Sequence, residues 1–137
     1  MAEIIPGRFE SQGRADFMGA VAYTPIKHDS AADVYIDWEY GNRHVLTLTS
    51  DVNIYLVNPY NGTFHLLIEQ RGDWVATWKV NDTSLPTVAW VDGTAPVVTT
   101  GGSVSAPVYD TFSFSYWEDK GIYIAMSTQN CKVPAAP

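Results

Sequence analysis

The sequence has few charged residues, one cysteine and no long apolar run, and each shortage excludes a class of protein. Charged residues make up 17% of the 137 residues, below the roughly one quarter that is usual in globular proteins. The single cysteine, Cys131, rules out an intrachain disulfide, so nothing points to an oxidising compartment. No apolar run approaches the about 18 residues that indicate a membrane-spanning helix. The N-terminus also lacks the basic and apolar regions of a signal peptide.

Basic residues are particularly scarce. Eight Lys and Arg residues stand against fifteen Asp and Glu residues, which gives a net charge of −7. Nucleic-acid binding needs clustered basic residues that neutralise phosphates, and attraction to an anionic membrane surface needs them as well. The basic residues of this chain are scattered. We therefore expect neither nucleic acid nor a membrane as a partner.

Apolar residues are abundant, at 46% of the chain, and from about residue 32 they alternate with polar ones. The alternation is clearest in Val34–Tyr40, where Val34, Ile36, Trp38 and Tyr40 share a face, and in Thr111–Trp117. A period of two is typical of half-buried strands. Roughly eight such segments, about 8–12 residues apart and separated by turn residues, predict an all-β domain. We expect an antiparallel β-sandwich, similar to a jelly roll, over residues 31–128.

Both ends of the chain fall outside this pattern. Residues 1–30 contain Gly and Pro breakers and isolated apolar residues without a sustained period. This composition fits either a loosely structured extension or an irregular N-terminal arm that docks on a partner chain. The contacts of such an arm would come from its apolar side chains, namely Ile4, Ile5, Phe9, Phe17 and Met18. The Pro-rich C-terminal tail, residues 129–137, cannot join a central strand.

The aromatic residues divide into a predicted core and a candidate ligand platform. Large aromatic side chains bury on the order of 200 Å² each, and the residues expected to anchor the core are Trp78, Trp90, Phe112 and Phe114. Tyr60, Trp74 and Trp117 are expected near strand ends or loops, where their rings could stack on the apolar faces of a sugar. Asp110 precedes a strand and is expected to accept backbone N–H bonds from the preceding loop.

Signals for catalysis, cofactors or metals are weak. His44 and His65 lie on predicted strands and could approach each other across a sheet, but with His28 they show no metal-ligand spacing. Gly-x-Ser-x-Gly, the P-loop and the dinucleotide-binding motif are absent from the sequence. The tripeptide Arg71–Asp73 falls where a turn is predicted and is interpreted as a turn instead of an integrin ligand. We expect no catalytic residue, no cofactor and no metal site, and we predict that the chain is not an enzyme.

Several segments between His44 and Ala125 occur in an order and spacing that carry a resemblance. They are Leu46–Ile54, Asn58–Gln70, Trp74–Trp78, Val88–Pro96, Asp110–Phe114 and Gly121–Tyr123. The most specific is Val88–Pro96, which contains Trp-x-x-Gly-Thr-x-Pro. Together these segments resemble a β-sandwich module of tailed-bacteriophage structural proteins, which is found in capsid decoration proteins, head fibres and tail fibres.

The resemblance implies a virion protein that is assembled in the host cytoplasm and is often trimeric. The sequence shows neither coiled-coil heptads nor the collagen-like shaft expected of a fibre. It therefore favours a homotrimeric capsid decoration (cement) protein that binds the major capsid protein, or other virion proteins, at the capsid surface and stabilises the head. The alternative is a receptor-binding module of a head or tail fibre that recognises a host-surface glycan.

Overall fold

The computed structural model of the protein describes residues 24–80 and 84–134, and the backbone of two short strands near the N-terminus. These strands, β1 (Ile4–Ile5) and β2 (Arg8–Phe9), form an antiparallel pair. The arm residues predicted to bind a partner (Ile4, Ile5, Phe9, Phe17 and Met18) otherwise lie outside the described residues. In the described part of the chain no helix is long and apolar enough to cross a membrane.

The other described strands form two sheets. The strands are β3 (Ile26–Asp29), β4 (Asp33–Asp37), β5 (Arg43–Leu48), β6 (Val52–Val57), β7 (Gly62–Gln70), β8 (Ala76–Trp78), β9 (Thr87–Trp90), β10 (Val108–Trp117) and β11 (Ile122–Cys131). The larger sheet has the order β3-β5-β7-β10-β11-β9, and the smaller has the order β4-β6-β8. Alternate side chains of both sheets meet in one hydrophobic core. The predicted all-β sandwich is therefore confirmed.

From β3 to β8 the chain passes from one sheet to the other after every strand. It returns each time beside the strand that it formed two elements earlier, so β3, β5 and β7 are parallel neighbours, as are β4, β6 and β8. Ile26 pairs with His44, 18 residues on, and His44 pairs with Leu66, 22 residues on. Because the number of residues between paired positions differs from one strand pair to the next, this winding leaves no repeat of fixed period in the sequence.

The expectation of antiparallel pairing is wrong for most of the sandwich. Among the described strands of the larger and smaller sheets, only the β7–β10 and β10–β11 pairs are antiparallel, and β9 runs parallel to β11. Parallel neighbours need a long crossover, and here a strand of the facing sheet serves as that crossover. Short turns and a period of two look the same whether the chain folds back within one sheet or crosses to the other.

The boundaries of the sandwich also differ from the predicted ones. Residues Ile26–Asp29, which the prediction assigned to the arm, form an edge strand of the larger sheet. At the other end β11 continues to Cys131, into the predicted tail. Tyr40 is exposed although it was placed on the face of Trp38, because Asp37 caps a 3-10 turn at Trp38–Tyr40 and ends the alternation there.

Trp38 lies in the core. It connects β3–β8, along which the chain alternates between the two sheets, to β10 and β11, which extend the larger sheet. Its ring is fully buried and stacks on Phe64 at 4.7 Å between centroids. Its indole Nε1–H donates to the Tyr123 hydroxyl at 3.0 Å, across 85 residues of sequence. Burial raises the pKa of the Tyr123 phenol, which keeps this hydroxyl protonated and neutral in the core.

We expect Tyr123→Phe to lower the free energy of unfolding by about 1–3 kcal/mol, because it leaves a buried indole N–H without a partner. Urea denaturation followed by tryptophan fluorescence measures the change. Tyr35→Phe is the matched control, since this exposed hydroxyl should matter by less than about 0.5 kcal/mol. Equal effects of the two substitutions would contradict the role given to the Trp38–Tyr123 hydrogen bond.

Candidate functional site

The outer face of the larger sheet divides into a charged and an uncharged half. Outward positions of β3, β5 and β7 include Lys27, Asp29, Arg43 and Glu69. The outward positions of β9, β10 and β11, which we call the uncharged face, carry no charged side chain. They are Thr87, Ala89, Tyr109, Thr111, Ser113, Ser115, Trp117, Ile122, Ile124, Met126 and Thr128.

Apolar and hydroxyl side chains lie side by side on the uncharged face. Ile124 and Met126 follow each other along β11, both are exposed, and Met126 is 65% exposed. The strand register places Ser115 next to Ile124 and Ser113 next to Met126. Exposed apolar groups rimmed by polar ones are typical of protein interaction sites. This composition suits contact with another protein surface.

The predicted ligand platform of Tyr60, Trp74 and Trp117 does not form a single patch. Tyr60 and Trp117 lie at the same end of the larger sheet, because Gly62 pairs with Tyr116. Tyr60, however, packs edge-on against Phe64 on the core side of that sheet, whereas Trp117 stands on the outer face. Trp74 follows the opposite end of β7.

The residues predicted to anchor the core are all in it or against it. Phe112, Phe114 and Trp90 are buried, and the partly buried Trp78 packs on them with its ring 4.8 Å from that of Phe112. Trp78 also donates its indole N–H to the Pro96 carbonyl at 3.1 Å. These aromatic rings are used for packing and are not available to a ligand.

Asp110 is a buried polar anchor at the end of the sandwich that Trp74 occupies. Its carboxylate accepts the Thr99 backbone N–H at 2.7 Å, the Asn130 backbone N–H at 2.8 Å and the Gln129 side-chain amide at 3.0 Å. The predicted bond from the preceding loop is confirmed by Thr99. The residue sits where the β10–β11 register shifts, so its bonds replace part of the interrupted ladder.

The Arg71–Asp73 tripeptide is held in a turn by the rest of the protein. Arg71 forms an ion pair with Glu69 at 2.8 Å. The Gly72 carbonyl and the Asp73 carboxylate both accept the Gly101 backbone N–H, at 3.2 and 2.8 Å. All three residues are thus engaged within the chain, in a bend that follows β7.

A pair of histidines, which the sequence pattern did not predict, joins the edge strand β3 to β5. His44 donates from Nε2 to the Gly41 carbonyl at 2.9 Å, since a carbonyl can only accept. Its Nδ1 is then an acceptor and receives the Nε2–H of His28 at 2.8 Å. The suggested approach of His44 and His65 is wrong, because His65 faces outward on β7 and contacts Ser113 instead.

Both imidazoles of this pair resist protonation. Burial lowers the pKa of His28, and the neighbouring His44 lowers it further. Burial also lowers the pKa of His44, although its bond to Gly41 and the nearby Asp37 carboxylate oppose the shift. A second proton on His44 would occupy its Nδ1 and break the hydrogen bond between the rings. In the described residues no group of three or more His, Cys, Asp or Glu side chains could hold a metal ion.

We expect the stability of the protein to fall as the pH drops below about 6.5, the ordinary pKa of histidine. Because both pKa values are lower in the folded state, the unfolded chain takes up protons first, and acid favours unfolding. Urea denaturation between pH 7.5 and 5 measures the slope. The double variant His28→Asn/His44→Asn should flatten it. A slope that survives in the double variant would assign it to other groups.

No protein-family model matches this chain, and no curated protein and no solved structure matches it. The resemblance to a tailed-phage module therefore stays a prediction.

Proposed function

We propose that this protein is a structural subunit of a tailed-phage particle, a capsid decoration protein that binds the major capsid protein and stabilises the head. The observation that carries the proposal is the uncharged face of β9, β10 and β11. It is a continuous sheet surface on which Ile124 and Met126 are exposed to solvent.

The absence of charge on this face is notable in a chain with fifteen acidic and eight basic residues. Burying an unpaired charge in an interface is costly, and charged residues are depleted at interface cores. A surface of Ile, Met, Ala, Ser and Thr side chains can be covered without that cost. Its hydroxyl groups can still form hydrogen bonds with a partner.

Three of the six segments that carry the phage resemblance lie on the strands that form this face. Val88–Pro96 begins within β9, Asp110–Phe114 lies on β10, and Gly121–Tyr123 leads into β11. The other three lie on β5 to β8, so the resemblance extends over both sheets and includes the strands of the candidate interface.

A decoration protein acts by mass action, since a ligand that binds only the assembled state stabilises that state. The uncharged face would supply contact area on the capsid. The part of the predicted arm that precedes β3 and the predicted homotrimer would add further contacts, and both remain proposals. No step of this role requires a catalytic residue or a cofactor.

We expect Met126→Lys to weaken binding to purified capsids that lack this protein by at least tenfold, which corresponds to about 1.4 kcal/mol. The substitution places a charge where docking would bury it. Cosedimentation of the purified protein with the capsids measures the bound fraction, and the temperature of capsid disruption reports the stabilisation.

Val97→Lys is the matched control, because Val97 is 86% exposed and lies in the loop between β9 and β10. It should bind and stabilise like the unaltered protein. If the unaltered protein neither binds capsids nor raises their disruption temperature, the decoration role is wrong. If Met126→Lys binds as well as Val97→Lys, the proposed docking face is wrong.

A further inference from the structure

We propose that the cleft beside Trp117 binds a neutral carbohydrate. The cleft measures about 500 Å³ and opens on the outer side of the larger sheet, where β7 begins and β10 ends. Its polar and aromatic lining comes from Asn61, Thr63, Ser115, Trp117 and Asp119. The proposal locates the glycan-binding alternative raised by the sequence, and it does not depend on docking to a capsid.

Trp117 provides an aromatic face that the fold itself does not use. Trp38 and Trp90 are buried, and Trp78 packs against the core, whereas Trp117 is 53% exposed. A large, rigid, half-exposed ring with a polar N–H is suited to contacts that are apolar on one side and wet on the other. The C–H face of a pyranose ring presents such an apolar side, and its hydroxyls remain in contact with water or polar groups.

Polar side chains beside the Trp117 ring can form hydrogen bonds with the hydroxyl groups of a sugar. Thr63 and Ser115 are register partners on adjacent strands, so their hydroxyls lie close together on the outer face. Each hydroxyl can both donate and accept a hydrogen bond, and the Asp119 carboxylate can accept. A few convergent polar groups beside an aromatic wall are typical of small-ligand sites.

The two turns that border the cleft are fixed to each other. Asn61 accepts the Glu118 backbone N–H at 2.8 Å and donates its amide to the Glu118 carboxylate at 3.2 Å. Within the second turn, the Trp117 carbonyl accepts the Lys120 N–H at 3.1 Å. The site is therefore preformed, and a ligand would bind without a large entropic cost for ordering the loops.

The charge around the cleft favours a neutral ligand. Glu118 and Asp119 outnumber the single Lys120 in the turn after β10, and the whole chain carries −7. An anionic sugar, such as a sialoside, or a phosphate group would be repelled by these carboxylates. We therefore expect neutral hexoses or N-acetylhexosamines to be preferred.

The test uses the purified full-length protein and neutral oligosaccharides: lactose, maltose, cellobiose and diacetylchitobiose, with sialyllactose as the anionic comparison. Saturation-transfer NMR detects binding, and titration of tryptophan fluorescence gives the dissociation constant. We expect at least one neutral oligosaccharide to bind with a dissociation constant on the order of 1 mM, and more tightly than sialyllactose.

Trp117→Ala should weaken that binding at least tenfold, whereas Trp117→Phe should retain part of it. Trp74→Ala is the matched control, because Trp74 is also an exposed tryptophan but lies at the opposite end of β7. Asp119→Ala should weaken binding severalfold, and since Asp119 is an exposed turn residue, this variant serves as a second test if Trp117→Ala does not fold.

Three outcomes would overturn the inference. They are no binding of any neutral oligosaccharide at concentrations on the order of 10 mM, unchanged binding by a folded Trp117→Ala or Asp119→Ala variant, and an equal loss in Trp74→Ala. None of them bears on capsid binding, which Met126→Lys tests separately.

Discussion

The packing of Trp38 between the two sheets is the constraint on which the rest of the structure depends. Its ring stacks on Phe64, meets the edge of His44 and donates a hydrogen bond to Tyr123. These contacts tie the parallel, wound part of the chain to the antiparallel strands that close the larger sheet. They also fix which side of β5, β7 and β11 faces the core, and so determine which residues face solvent.

The candidate binding surfaces follow from which side of each strand faces the core. With Phe112, Phe114 and Tyr123 turned inward, the alternation of β10 and β11 leaves Ser, Thr, Ile, Met and Trp117 outside. The inner residues have the packing role, and the outer ones are free to meet a partner. The docking face and the carbohydrate cleft that we propose thus belong to one exposed sheet surface and share Ser115 and Trp117.

Features that depend on local residue patterns could be predicted from the sequence, whereas contacts that depend on strand direction could not. The strands, the buried Phe112 and Phe114 and the bonds of Asp110 could be predicted, because alternation and composition carry that information. The His28–His44 pair could not, since it follows from the parallel pairing of β3 with β5. The separation of Trp74 from Trp117 could not either, since it follows from the antiparallel pairing of β7 with β10, which end at opposite ends of the sheet. Tyr40 was predicted to share a face with Trp38 but is exposed, because Asp37 caps a 3-10 turn that ends the alternation.

The larger sheet is long in its middle and short at its edges. Its inner strands β10 and β11 have ten residues each, whereas the edge strands β3 and β9 have four. A short edge offers few unpaired backbone groups to a strand from another molecule. At β3 and β9, copies of this chain therefore have few backbone groups through which to grow into fibrils by adding strand to strand, and the outer face of the sheet offers side chains for association instead.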